Sequence, residues 1–332
     1  MRIDRRVSQR AGWIRRRSGT ALTAVTALVA VGGGIAAPAA AATPVSTRVA
    51  AAATAEAPGA PAEAAGATAS CRRAPLVYLV PHQDDETLSM GASIRRAVSR
   101  SGPACVHLVL VTTGQSSGAR TVLARGVRSP STGRVVRYRL TTAQFVAARD
   151  AEFRAAAARL GVPARNVHLG LPGAPRVADS GSTLTNAVAR KVVNTAVDRF
   201  GTRAGYATMS DSDPQTNHRT LGAALRSVGK ARKVGSVSFL YPPYQLPAPR
   251  RVVATVATGA DRAALRNAGL EYGRFAPASG RYGVGWLSVP SAFGGAALNT
   301  WTVRADGRLR HAGRYPAPKR ALFDSYTSYL HR

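Results

Sequence analysis

Residues 76–86 read LVYLVPHQDDE, and this stretch decides the architecture. The apolar run Leu76-Val77-Tyr78-Leu79-Val80 reads as a strand, and a helical pattern begins just after Pro81-His82-Gln83-Asp84-Asp85-Glu86. A histidine and two aspartates therefore stand at the carboxyl end of a strand. In an open α/β sheet that end borders the crevice where ligands bind. His82 and Asp85, three residues apart, can reach one cation together, which leaves Asp84 between them free to act as a base. Zinc suits a donor set of this kind.

Further along the chain, short β-branched runs alternate with helical stretches. Strands are expected near 76–80, 106–112, 165–169, 205–209 and 235–240, and helices near 86–100, 142–160, 183–200 and 217–231. The alternation predicts a parallel sheet covered by helices on both faces, in one domain of about 260 residues. After Tyr241 the chain is rich in Gly and Pro, and VVATVAT and WLSVPSAF suggest further strands. A phosphatase of the haloacid-dehalogenase type would also set carboxylates at a strand end. It needs Asp-x-Asp-x-Thr, and Asp84-Asp85-Glu86-Thr87-Leu88 has neither the second Asp nor the Thr in place.

The hexamer Pro81–Glu86 resembles the His-Pro-Asp-Asp-Glu signature of the PIG-L/LmbE-like zinc deacetylases, which remove N-acetyl groups from glucosamine-containing substrates. Later segments are similar in the same order. Arg149 and Glu152 in AARDAEFRAAAARLGV resemble the family's Arg-x-x-Glu helix, and VHLGLPG the strand after it. Gln215-Thr216-Asn217-His218, before the helical RTLGAAL, falls where the family has His-x-Asp-His, and KRALFDSYTSYL resembles its closing Lys-x-x-Ala-Leu-x-x-Tyr. The likeness runs from about 75 to 330. It implies a Rossmann-like, mostly parallel sheet of the LmbE-like kind with an irregular C-terminal section, and an N-acetylated amino sugar as substrate.

Amide hydrolysis is slow because water is a poor nucleophile and the tetrahedral oxyanion is high in energy. A zinc ion with three protein ligands and one open position answers both difficulties. His82, Asp85 and His218 are the expected ligands and Asp84 the general base, the roles that the family gives its matching residues. Glu86 is expected to start the following helix, near its first-turn amides. By the same resemblance Arg149 is a substrate-binding residue, with a solvated helix face as the competing reading. The chain departs from the family at Gln215, where relatives carry a histidine that steadies the oxyanion or protonates the leaving amine; Gln215 can donate a hydrogen bond but no proton. Asn217 replaces the motif's Asp, and Gln83 replaces the usual Pro. Asp211 and Asp213, just upstream, either compensate for these changes or serve simple loop-turn chemistry, the second being the stronger reading.

The chain has 46 Lys and Arg against 16 Asp and Glu, a formal net charge of +30. Residues 1–42 hold seven Arg and one Asp, so the remainder has 39 basic against 15 acidic residues, or +24. Such a field attracts phosphate polymers, anionic cell-wall polymers or acidic lipids. Residues 1–42 read as an export signal: an Arg-rich opening, an apolar middle and Ala-x-Ala choices before Ala42. Residues 43–70, almost without large apolar side chains, read as a disordered Ala/Pro-rich linker, and 71–332 as the deacetylase domain. No later apolar run is long enough to span a bilayer, so a secreted, cell-wall-associated protein is expected.

Cys71 precedes the first strand and Cys105 opens the second. Sequential parallel strands are usually neighbours, so a disulfide between the two is feasible. His107, His168, His311 and His331 read as packed or solvated. Residues 114–140 form a loop with Arg120, Arg125, Arg128, Arg134, Arg137 and Arg139 and no acidic residue, suited either to an anionic substrate or to a merely basic surface. Sparse aromatic residues argue against a nucleic-acid partner. Two functions compete: an exported zinc-dependent N-deacetylase, and a non-catalytic basic module that binds anionic wall polymers.

Overall fold

The computed structural model of the chain describes residues 71–241 apart from 72, 130, 131 and 181, then 258–293, together with the backbone of short strands at 251–255, 301–303, 309–311 and 327–331. The expected export signal and linker lie outside the described residues, as does most of KRALFDSYTSYL. Among the described residues no helix is long and apolar enough to cross a membrane.

The strands are β1 (Leu76–Val80), β2 (Val106–Leu110), β3 (Val127–Arg128), β4 (Val135–Val136), β5 (Val167–Leu169), β6 (Gly205–Met209), β7 (Ser236–Tyr241), β8 (Arg251–Thr255), β9 (Phe275–Ala276), β10 (Arg281–Tyr282), β11 (Trp301–Val303), β12 (Leu309–His311) and β13 (Thr327–His331). Seven of them form one sheet in the order β5-β2-β1-β6-β7-β13-β8. The five from β5 to β7 are parallel, and β13 runs antiparallel to both its neighbours. The fold is thus the expected α/β architecture with a mostly parallel sheet.

The helices are α1 (Asp85–Leu88), α2 (Gly91–Ser101), α3 (Ala119–Arg125), α4 (Thr142–Arg159), α5 (Asn186–Phe200), α6 (Thr216–Ala231), α7 (Gly259–Glu271), α8 (Val284–Ser288) and α9 (Pro290–Phe293). Alternate residues of β1 serve opposite layers: Val77 and Leu79 pack with Val192, Val193, Leu221 and Leu225 of α5 and α6, whereas Tyr78 and Val80 pack with Ile94, Phe153 and Leu265 of α2, α4 and α7. Burial on both faces explains why the strand is apolar throughout. Truncating a side chain such as the fully buried Leu79 to Ala would cost about 2–5 kcal/mol.

Strand order reverses at β1, since the chain moves to β2 on one side and later to β6 on the other. The carboxyl ends of β1 and β6 therefore flank the crevice that doubly wound sheets use for ligands. Polar side chains start the long helices. Thr141 and Gln144 form a reciprocal capping box on α4, and Thr185 caps α5, so that helix begins at 186 and not at the expected 183.

Three expectations need correction. The single helix expected over 86–100 is two, because α2 restarts at Gly91 beneath α7; a Cβ at Gly91 would lie 2.3 Å from Leu265 Cδ1. WLSVPSAF is helical, as α8 and α9, and not a strand. The Glu152 carboxylate takes the first amides of α8, from Val284 (2.7 Å) and Gly285 (2.9 Å), a long-range cap that outweighs the β-branched pattern. The stretch 114–140 is not one loop. It contains α3 and the β3–β4 hairpin, held by Leu123 and Val127 packing against Phe145, Ala148 and Val284.

Cys71 and Cys105 are disulfide-bonded, with 5.0 Å between their Cα atoms. The bond ties the segment before β1 to the start of β2, and Leu76 pairs with Val106 as the strands begin.

Candidate metal centre

His82 follows β1 by two residues, Asp85 opens α1, and His218 lies in the first turn of α6 after β6. Both sides of the crevice therefore contribute. His82 Nδ1 lies 3.2 Å from Asp85 Oδ2 and 3.1 Å from His218 Nε2, and His218 Nε2 lies 3.1 Å from the same Asp85 oxygen. Three donor atoms thus form a nearly equilateral triangle. Tetrahedral zinc, with ligand bonds of about 2.0–2.1 Å, spaces its donors roughly 3.3–3.4 Å apart, so these residues fit such an ion with little movement.

Electrostatics agree with the donor set. Burial alone would raise the Asp85 carboxyl, but the His218 and His82 imidazoles beside it hold it well below the usual carboxylate range. Burial pulls the His218 imidazole down, yet the Asp85 and Asp213 carboxylates win and raise it to about 10. Burial lowers His82, so its ring stays neutral. A cation among the three donors would take the place of the proton on His218.

Asp213 does more than the turn chemistry that its sequence position suggests. It is fully buried; its Oδ2 lies 3.0 Å from His218 Nδ1, and its Oδ1 accepts from the Gln215 amide at 2.8 Å. A carboxylate on the outer ring nitrogen fixes the tautomer that leaves Nε2 for a metal. The loop-turn reading of Asp213 is therefore corrected, although the spacing Asp-x-x-x-x-His held the signal. Asp211 instead pairs with Arg226 on the surface.

Asp84 is buried beside the triangle with φ 110°, a backbone conformation that costs a non-glycine residue about 1–3 kcal/mol and is characteristic of functional sites. Burial and then the Asp85 charge push its carboxyl well above the usual range, with Arg149 pulling the other way. Arg149 is buried too. Its guanidinium donates to the Gly114 and Gln83 carbonyls at 3.0 and 2.9 Å and stands 3.7 Å from Asp84 Oδ2. The solvated-face reading of Arg149 is excluded. It lies beside the Asp84 carboxylate, where its charge favours the ionised form.

Gln215 caps α6. Its Oε1 accepts from the His218 amide at 3.0 Å, which turns its Nε2 toward His82 Nε2 at 3.3 Å; Asn217 Nδ2 approaches the same nitrogen at 3.1 Å. The two departures in the segment 215–218 thus sit on the outer nitrogen of His82. Gln83 is also engaged, donating to the Thr113 carbonyl and to Asp150, which pairs with Arg176. Glu86 is at the helix start as expected, but fully buried. It accepts from the Tyr272 and Thr87 hydroxyls, each at 2.6 Å, and from the Asp84 amide at 3.1 Å, while burial pushes its carboxyl up to about 7.

Elsewhere, His107 and His168 stack on one another at the sheet edge beside Phe200. Among the arginines of 114–140, Arg120 donates to Thr142, and Arg128 and Arg137 to the carbonyls of Gly133 and Arg125.

Residues 77–228 match the family described as PIG-L: GlcNAc-PI de-N-acetylase. Among solved structures the chain is similar to a triple mutant of a deacetylase of the teicoplanin biosynthetic pathway, at 16% identity over 77% of this chain and 96% of that one, with TM-score 0.46. It is also similar to the zinc-inhibited form of teicoplanin deacetylase (17% identity, 60% and 83% covered, TM-score 0.40) and to N,N′-diacetylchitobiose deacetylase from Pyrococcus horikoshii (17%, 59% and 70%, TM-score 0.35). No curated protein matches the chain in sequence.

Proposed function

Residues 77–228 are a PIG-L domain, and on that premise we propose that the chain is an exported, zinc-dependent hydrolase that removes the N-acetyl group from an N-acetylglucosamine-type glycan or glycoconjugate. The observation that carries the reading is the His82, Asp85 and His218 triangle with Asp84 beside it and Asp213 behind it. The disulfide between Cys71 and Cys105 supports export, because such bonds persist in oxidising compartments.

His82, Asp85 and His218 would hold the ion, which when bound activates water and polarises the amide carbonyl. Asp84 takes the proton from the attacking water and returns it to the departing amine nitrogen, so no second acid is needed at Gln215. Its carboxyl is held in place by the strained turn and by Arg149 behind it. Gln215 and Asn217 hold the His82 ring, and Asp213 holds that of His218, so that both inner nitrogens face the same point. The PIG-L family match, the strand-end crevice and the buried base favour this reading over a non-catalytic module.

Metal analysis and acetate release from N-acetylated glycans test it. The full chain should carry close to one zinc, and His218→Ala should lose it. Asp84→Asn should keep the metal and slow release by about 10²- to 10⁴-fold. Full zinc retention by the His218 variant would refute the ligand assignment, and zinc loss in the Asp84 variant would mean that the two aspartates exchange roles.

A further inference from the structure

Two cavities open at the amino ends of the strands, the end of the sheet opposite the metal centre. One, of about 300 Å³, lies between α2 and the starts of β1, β6 and β7; the other, of about 560 Å³, lies between the segment before β1 and the turn from α5 into β6. Arg73 lines both, Arg96 and Arg100 line the first, and Arg203 lines the second, while no carboxylate lines either. All four side chains are exposed, and among the described residues none forms an ion pair. By contrast Arg95, Arg159, Arg176, Arg226 and Arg232 each have an acidic partner.

The end is built as well as basic. Arg73 stands two residues after Cys71, so the disulfide to Cys105 fixes the strip of chain that separates the cavities. The last turns of α2, α5 and α6 finish on this side with Arg100, Arg199 and Lys230 and add to the field. The first cavity is also lined by hydroxyls, among them Tyr78 and Ser93, which bond to each other at 2.9 Å. Guanidinium groups and hydroxyls without opposing carboxylates suit phosphate or carboxylate oxygens. Both volumes fall in the ~300–1,000 Å³ range of small-ligand sites, which is room for a sugar or polyol unit with its charge. Single-stranded nucleic acid would want a series of exposed aromatic faces to stack on, whereas Tyr78 and Tyr206 are buried and the one aromatic side chain lining the second cavity, the half-buried Phe200, packs against His107 and His168.

We propose that this amino-end face binds a linear anionic glycan, with neighbouring charged units seated in the two cavities on either side of Arg73. The site lies opposite the metal centre and stands whether or not the deacetylase reading holds. Binding there tethers the chain to a polymer and leaves the crevice at His82 and His218 open.

The test is direct binding of the full chain, over a range of salt, to poly(glycerol phosphate) and to polygalacturonate of about ten units. A neutral N-acetylglucosamine oligomer and a single-stranded DNA of similar length serve as comparisons. Both anionic glycans should bind, more weakly as salt rises through the range where the Debye length shrinks to about 8 Å. Arg96→Glu/Arg100→Glu should weaken them at least tenfold, and Arg96→Gln/Arg100→Gln by a smaller factor. Arg125→Glu/Arg154→Glu, with the same change in net charge on other helices, should weaken them less than threefold. Equal losses in the two Glu pairs would show a diffuse field and overturn the site. Tighter binding of DNA with the same arginine dependence, or no binding of either glycan, would overturn it as well.

Discussion

Replacing both cysteines, as Cys71→Ala/Cys105→Ala, isolates one covalent constraint whose size follows from the chain itself. The bond closes a loop of sequence separation 34. On the chain-entropy account, freeing a loop of that length costs roughly 3.8 kcal/mol at 25 °C, all of it through the unfolded state. For a domain of this size each kcal/mol lowers Tm by about 2–4 °C, so a fall of roughly 8–15 °C is expected. Cys105 is almost fully buried, so its replacement also removes packing. Wild-type chain reduced with dithiothreitol keeps that packing and gives the entropic part alone. Equilibrium urea unfolding of the oxidised, reduced and Ala/Ala proteins is the assay. The denaturant slope should rise when the link is gone, because a freer unfolded chain exposes more surface. Zinc content should not change, since the bond joins the amino ends of β1 and β2 and the metal centre lies at their carboxyl ends. A reduced protein within about 1 kcal/mol of the oxidised one, with an unchanged slope, would refute the reasoning.

Tyr272→Phe removes the hydroxyl that donates to buried Glu86 at 2.6 Å and should cost about 1.5–3 kcal/mol; a double-mutant cycle with Glu86→Gln that showed no coupling would contradict this. In the metal-free chain, burial raises Glu86 to about 7 and Glu152 to about 8 from an ordinary value of 4.5. Their contribution to stability is therefore fully present below about pH 4.5 and is lost as pH rises through 7 and 8, by at most ~1.4 kcal/mol per pH unit for each group. Thermal melts from pH 4 to 9 should show that decline, with a shallower slope in Glu152→Gln. Gly114→Ala adds a Cβ 2.2 Å from Gln83 Oε1 and 2.8 Å from the Arg149 guanidinium at φ +67°, so it should lose about 1–3 kcal/mol and displace the support of Asp84, read as a drop in kcat with KM little changed. Asn217→Asp, which sets a full acceptor against the outer nitrogen of His82, should tighten zinc binding about tenfold in chelator competition, and an unchanged affinity would remove Asn217 from the support of the site.

The strands were legible because burial on both faces makes them mainly apolar, with few interruptions such as His107, Thr208 and Ser238: β1 and β6 fall where their runs predict, and β2 and β7 differ from expectation only at their ends. The candidate metal donors His82 and Asp85 were legible because they sit three residues apart on one turn. What the sequence hid is long-range. Glu152 stood out only by its likeness to an Arg-x-x-Glu motif, and what it does depends on Val284 and Gly285, over 130 positions away. Glu86 needs Tyr272, at a separation of 186. Neither partner carries a local pattern, and a carboxylate that caps a distant helix is indistinguishable in sequence from one facing water. The burial of Arg149 was hidden for the same reason, since the close approach of Gly114, which has no side chain, leaves room for the guanidinium.

The substitutions at Gln215 and Asn217 bear on one nitrogen. With both amide groups donating to His82 Nε2, the ring proton sits on Nδ1 and points at Asp85 Oδ2, which suits a metal-free site. A metal on Nδ1 requires the proton on Nε2, and the nitrogen then needs an acceptor. Gln215 cannot turn, because its Oε1 already holds the His218 amide. Asn217 can: its Oδ1 is buried without a partner, and a half-turn of the amide would offer that oxygen to His82 at the expense of the bond from Nδ2 to the Asp179 carbonyl. An aspartate at this position would accept that proton without turning. With asparagine at 217, a cation held on His82 Nδ1 as proposed would require that amide rotation beside Asp179, whose carboxylate also accepts from the Ser116 amide.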